Sequence, residues 1–348
     1  VVKGFRLPGF GCGVPVLLLC ACQAGPAPLF PAIEPALVWP SPPEAPRIRL
    51  IGSLSSSDDL GVPLSALEVL AGAVRGPRPA ITFSAPNGLA WHRAGRLGVA
   101  DGGTGAVHIL DLEQRTHLVL LCALQQVPEA PVGAAWVGDS LYISDARQRC
   151  LAELDGQGRV LRSFGREELV RPVGIVDLPQ RQMICVVDAG AHCLRFYDRD
   201  GRQVRQMGER GAGPGQFNFP THIAQDSAGR LAVADTGNFR VQLLDLDGTW
   251  LANVGRKGDG AGDLALPKGV GFDSDGHLYV VDAQFENFQI FDQQGQLLLA
   301  VGHEGSALGQ FSLPAGLAID DRDRIWVADA GNQRVQVFQY LRSGDGPT

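Results

Sequence analysis

The sequence predicts an all-β protein: a six-bladed β-propeller of four-stranded antiparallel blades, its ring closed by an N-terminal strand. Three observations lead there. A phrase of about 47 residues recurs from Ala85 to the end of the chain, each copy holds four short apolar stretches separated by Asp/Gly turns, and the last copy lacks the fourth stretch. Four antiparallel strands repeated at this period are the arithmetic of a propeller blade.

Each copy opens on a proline: Pro86, Pro131, Pro172, Pro220, Pro267 and Pro314, spaced by 45, 41, 48, 47 and 47 residues. The aspartates that close the second apolar run keep the same register, at Asp101, Asp145, Asp188, Asp235, Asp282 and Asp329. Within the copy opening at Pro267 the stretches read GVGFD, HLYVVD, NFQIFD and LLLAVG. They have strand length, are rich in β-branched and aromatic residues, and stop at turn residues. Leu231-Ala232-Val233-Ala234 is apolar at every position, as expected of a strand covered on both faces by neighbouring blades.

After Arg334 the last copy runs RVQVFQYL and then into a polar tail at 342–348. The missing strand is expected at the other end, where Arg47 to Leu54 reads RIRLIGSL, with Gly52 in the place of Gly302 and Gly255. Pairing the first strand with the last three removes the exposed edges. Between that strand and the first full copy, Leu64, Leu67, Val69, Leu70 and Val74 predict a short helix over the ring. The propeller is thus expected over 47–341.

The first 22 residues read as an address. Lys3 and Arg6 precede an apolar run ending Val16-Leu17-Leu18-Leu19-Cys20-Ala21-Cys22, the pattern of a secretory signal. Leu19-Cys20-Ala21-Cys22 resembles a bacterial lipobox, and by that resemblance Cys22 is the acylated residue; an ordinary cleaved signal is the alternative. Residues 23–46 hold eight prolines and are expected to form an extended tether. Gln23 after the lipid cysteine resembles the pattern for outer-membrane delivery, facing the periplasm or the exterior.

The strings VADTGNFRVQLLD and VADAGNQRVQVFQ, preceded by GQFNFP and GQFSLP, resemble NHL repeats. The resemblance spans 47–341 and is weakest in the first copy, where VADGGTGAVHILD lacks the Asn and Arg. With the lipobox and proline-rich run, the whole resembles bacterial NHL-repeat envelope lipoproteins. The resemblance implies a six-bladed recognition platform; only some relatives are enzymes.

With 37 acidic and 30 basic side chains the net charge is −7, and 45% of residues are hydrophobic, which excludes a disordered polymer and a strongly basic nucleic-acid binder. The seven cysteines form no CxxC pair. The six aspartates are expected to stabilise turns by accepting backbone N–H bonds rather than to bind metal. Arg240 and Arg334, five positions on, are expected to pair with neighbouring turns. Cys150 and Cys193 occupy that position in the second and third copies, and a disulfide between them requires Cα atoms within ~7 Å.

Polar residues that follow the opening prolines, near the expected axis, are Asn87, Thr221, His222 and Lys268; the remaining positions there hold Val, Ala or Gly. They are the candidate axial ligand-binding set, in which His222 is either a pore-lining ligand group or a hydrogen-bonded histidine. They do not supply the three or four converging ligands of a zinc site, and neither cofactor nor metal is expected. The fifth copy departs from its siblings at Gln284-Phe285-Glu286-Asn287-Phe288, and Phe285 with Glu286 is the candidate partner-binding pair; the alternative is that Phe285 tucks under a loop. The expected function is a non-catalytic, monomeric binding module that recognises an envelope protein or polysaccharide, and no nucleic acid, through interblade loops. The alternative is an envelope lyase or hydrolase acting at the axial funnel.

Overall fold

A computed structural model describes residues 28–62, 80–121 and 128–342. The lipobox with Cys22, the expected helix after Pro63 and most of the polar tail lie outside the described residues.

The described residues form six sheets. Blades 1 to 5 each hold four consecutive antiparallel strands; blade 1, for example, runs through Pro86–His92, Arg96–Asp101, Ala106–Asp111 and Thr116–Leu121. The sixth blade combines three C-terminal strands, Pro314–Ile319, Arg324–Asp329 and Arg334–Tyr340, with the N-terminal strand Ile48–Leu54. Leu50 pairs with Phe338 and Leu54 with Val335, so the ring is closed by chain ends far apart in sequence.

The hydrophobic core is divided in the same way. Six clusters of buried side chains lie one between each pair of adjacent blades; Tyr279, Phe288, Phe311 and Phe338 fill the junction of blades 5 and 6, and Leu97, Val99, Leu110 and Trp326 that of blades 6 and 1. Each second and third strand is sandwiched between two such clusters, which is why Leu231–Asp235 is buried at all five positions.

The register of the closing strand differs from the sequence expectation. Leu54 opposite Val335 is the counterpart of Val301 opposite Phe288, so Gly52, opposite Val337, stands where blade 5 has Leu299 and not where it has Gly302. The physical reason lies in the preceding segment. A Cβ on Gly52 would lie 2.2 Å from the Phe30 ring, which fills the space and packs toward Trp326 at 6.1 Å between centroids. Residues 28–46 therefore lie on the propeller instead of standing off it. Leu29 and Phe30 pack against the junction of blades 6 and 1, Ile33, Leu37 and Trp39 against that of blades 5 and 6, and Val38–Trp39 adds a fifth strand beside Ile48–Leu54. Any tether is confined to residues before this segment. Among the described residues no helix is long and apolar enough to cross a membrane.

Candidate functional site

In five blades the innermost strand starts with a proline that lies opposite the blade's aspartate, as in Pro86–Asp101 and Pro314–Asp329. The starts of these strands, the aspartate turns and the interblade loops therefore share one face.

All six aspartates are fully buried. Asp101 accepts hydrogen bonds from the N–H groups of Ser84, Ala85 and Gly103 at 2.6, 2.9 and 2.9 Å. Asp188 and Asp282 repeat the pattern with Val170 and Arg171, and with Ala265 and Leu266. Each carboxylate thus ties its own turn to the loop that enters the blade. Arg240 and Arg334 each join two turns: their Nε atoms bond their own aspartates, Asp235 and Asp329, at 2.9 and 2.7 Å, while their outer nitrogens bond carbonyls in the turns of the loops that enter the blades, Gly213 and Ala307, at 2.9 and 2.7 Å. The reason is reach, since a side chain five positions on emerges beside the same carboxylate across the turn. Cys150 and Cys193 are buried free thiols, and burial raises both to about 11.

In blade 1 the arginine position is Ala106, and a different group compensates. His108 lies 3.6 Å from Asp101 and 2.9 Å from His117, with Phe83 edge-on to the His108 ring. Burial would raise Asp101, but the nearby His108 ring and three backbone N–H bonds overcome it and hold Asp101 at about 2. Burial, then the neighbouring His108, pushes His117 down to about 4. The sequence alignment of the copies shows the missing arginine but not this histidine pair.

The residues that follow the opening prolines do converge around the axis. A Cβ on Gly88, Gly133, Gly174, Gly269 or Gly316 would meet a backbone carbonyl of the next blade, Val132, Val173, Thr221, Ala315 and Asn87 respectively, at 1.9 to 2.7 Å. Only a residue without a side chain allows that approach. Blade 4 departs from this pattern, carrying His222 where the others have glycine, and its innermost strand is correspondingly short, Ile223–Gln225.

The four candidate axial residues have different fates. Thr221 is engaged: its hydroxyl lies 2.8 Å from that of Thr236, which donates to the Pro267 carbonyl at 2.7 Å. Among the described residues neither buried ring nitrogen of His222 has a hydrogen-bond partner, and neither has Oδ1 of Asn87. Burial, and then the nearby Lys268, depress His222 to about 3, and burial also lowers Lys268. Among the described residues no group of three or more His, Cys, Asp or Glu is placed to hold a metal ion.

Phe285 is half-buried. Glu286, in the left-handed backbone region with φ 53°, accepts a hydrogen bond from Leu313 N–H at 2.7 Å and so latches blade 5 to the loop entering blade 6. His192 does the same for Phe219 N–H at 3.1 Å. The exposed apolar groups on this face are elsewhere: Val170, Phe219, Leu308 and Leu313, with Phe219 and Leu313 exposed to 47% and 59%. Sequence reasoning passed over them, although Phe219 and Leu313 directly precede opening prolines where blades 1 and 2 have alanine. The loops that carry them are braced: Phe217 N–H bonds Glu209 O at 2.9 Å, and Gly215 N–H bonds the Gln242 side chain at 3.0 Å.

The NHL repeat family pattern matches residues 217–242 and 311–338. No curated protein matches the chain in sequence. Among solved structures, virginiamycin B lyase from Staphylococcus aureus is 12% identical, with 74% of this chain and 96% of that one covered and a TM-score of 0.55. A gluconolactonase from Xanthomonas campestris is 18% identical over 74% and 87%, TM-score 0.56. An auxiliary nutrient binding protein from Bacteroides thetaiotaomicron is 14% identical over 75% and 70%, TM-score 0.57. At these identities the likeness is one of fold.

Proposed function

Because the chain is a six-bladed β-propeller of NHL repeats, we propose that it is a non-catalytic binding module of the bacterial envelope, anchored through acylated Cys22, that recognises a protein through its interblade loops. One observation carries this reading: Val170, Phe219, Leu308 and Leu313 are exposed on one face, on loops fixed by their own hydrogen bonds. Apolar groups held rigidly out of a scaffold lose little conformational freedom on binding, and each large side chain buried contributes roughly 1.5–3 kcal/mol. Such a rim favours a protein over a polysaccharide, whose hydroxyls need polar partners.

The test compares the full chain with a variant carrying Ser at positions 170, 219, 308 and 313, each immobilised and exposed to gently solubilised envelopes. The reading expects a protein retained by the first and lost from the second, with both melting alike. Equal capture by both overturns it. The anchor is tested separately, since a Cys22→Ser variant expressed in a bacterial host should lose incorporation of a labelled fatty acid.

The second reading, an envelope lyase or hydrolase, is favoured by the desolvated His222 and Lys268 at the axis. It requires turnover that His222→Ala abolishes while the apolar rim variant retains it.

A further inference from the structure

We propose that the propeller axis binds a small oxyanion, a carboxylate or inorganic phosphate, between the Lys268 ammonium and the His222 ring. The first support is position. At the second residue after the opening proline, a Cβ points at the next blade's first residue after its proline, as Gly133 does at Val173 and Gly316 at Asn87. His222 holds that position in blade 4, so its side chain leaves the backbone toward blade 5, where the corresponding residue is Lys268. Lys268 is close enough to disfavour the protonated ring.

The second support is what these groups lack. Neither ring nitrogen of His222 has a hydrogen-bond partner among the described residues although both are buried. Lys268 is half-buried, burial lowers it from the ordinary lysine value, and no ion pair to it is found among the described residues. An ammonium taken out of water without a counter-charge is costly, as is an imidazole with nothing to bond, and a bound anion removes both penalties together. Asn87 stands across the ring from blade 4 with its own unpartnered amide atom. Amide oxygen and nitrogen are interchangeable by rotation, so this group can present an N–H toward the axis.

The donor set selects the ligand class. Lysine offers three N–H donors and neutral histidine one, in different directions, which suits a group with several acceptor oxygens better than a halide. The other residues at the two axial positions are Val132, Val173, Ala315 and glycines. They leave an apolar surround that limits the ligand to a small anion or to a carboxylate or phosphate on a narrow stem. This site is separate from the apolar rim and does not rest on the protein-binding reading.

The experiment titrates inorganic phosphate and, separately, acetate into the full chain at constant ionic strength, following the His222 ring 15N resonances and the melting temperature. Binding should perturb the His222 resonances saturably and raise the melting temperature. Lys268→Met and His222→Ala should each weaken binding by about tenfold or more, while Lys268→Arg retains it. Unperturbed His222 resonances with both anions overturn the proposal. A melting shift that persists undiminished in Lys268→Met also overturns it, because the ions then act elsewhere. The His222 resonances in Lys268→Met report directly that the axis is still folded.

Discussion

Replacing Gly133 by alanine tests the way this ring is closed. The added Cβ would lie 1.9 Å from the Val173 carbonyl oxygen, more than 1 Å inside the 3.0 Å that real Cβ contacts respect, and the obstacle is backbone of the next blade rather than a movable side chain. The same carbonyl accepts the Ser144 hydroxyl at 2.6 Å, and Ser144 in turn accepts Gly133 N–H at 2.8 Å, so relief by separation strains both bonds. Overpacking of this kind costs ~1–3 kcal/mol and each strained hydrogen bond ~1 kcal/mol, together roughly 3–5 kcal/mol. That is a large part of the ~5–15 kcal/mol stability of an ordinary domain. Urea unfolding followed by tryptophan fluorescence should show a midpoint well below wild type. Gly102→Ala is the matched control in the preceding blade: its nearest obstacle is 3.6 Å away, an ordinary contact, and its midpoint should stay close to wild type. A Gly133→Ala protein that unfolds at the wild-type midpoint, or a control equally damaged, would refute the reasoning.

Deleting residues 47–54 removes the strand paired with Arg334–Tyr340 and exposes that edge; the variant should be unfolded or oligomeric by light scattering, and an unchanged monomer with an unchanged melt contradicts closure. Phe30→Ala empties the space above Gly52 and should cost about 2 kcal/mol in a chemical denaturation curve, whereas no change would mean that the N-terminal segment is not part of the fold. His117 is held at about 4 in the folded chain, below the ~6.5 of an unfolded histidine, so its neutral form is the one the fold accepts. The associated stability is fully present above pH 6.5 and is lost as pH falls toward 4, the full shift being worth ~3 kcal/mol and solvent screening of the partly exposed ring reducing it to roughly 2 kcal/mol. Melting temperatures from pH 7 to 4 should fall less steeply for His117→Gln; parallel curves would show that His117 does not carry the effect. The carboxylate of Asp101, at about 2, titrates below this window and is not confused with it.

Much of the architecture was legible because a propeller repeats. Six prolines and six aspartates in register, with strands apolar on both faces, specify blade number, strand order and the location of the cores between blades. The partial last copy even located the closing strand, since an unpaired edge in an otherwise complete ring has one economical solution. The register of that strand was misread by three residues. A glycine in one-dimensional alignment stands equally for a turn and for a side chain supplied from elsewhere, and Phe30 supplies the side chain that Gly52 lacks.

The functional surfaces depended on tertiary structure for the same reason. Residues after the opening prolines could be listed from the sequence, but only folding distinguishes Thr221, whose hydroxyl is spoken for, from His222, whose nitrogens are not. Glu286 reads as an exposed acid until the left-handed turn directs it onto Leu313. Phe219 and Leu313 carry no mark of exposure in the sequence, being large and apolar, yet the entry loops hold them in water. Local sequence determines strands, turns and their period through backbone preference and hydrophobic pattern. Which polar atom is left without a partner, and which apolar one without a cover, is decided where blades distant in sequence meet.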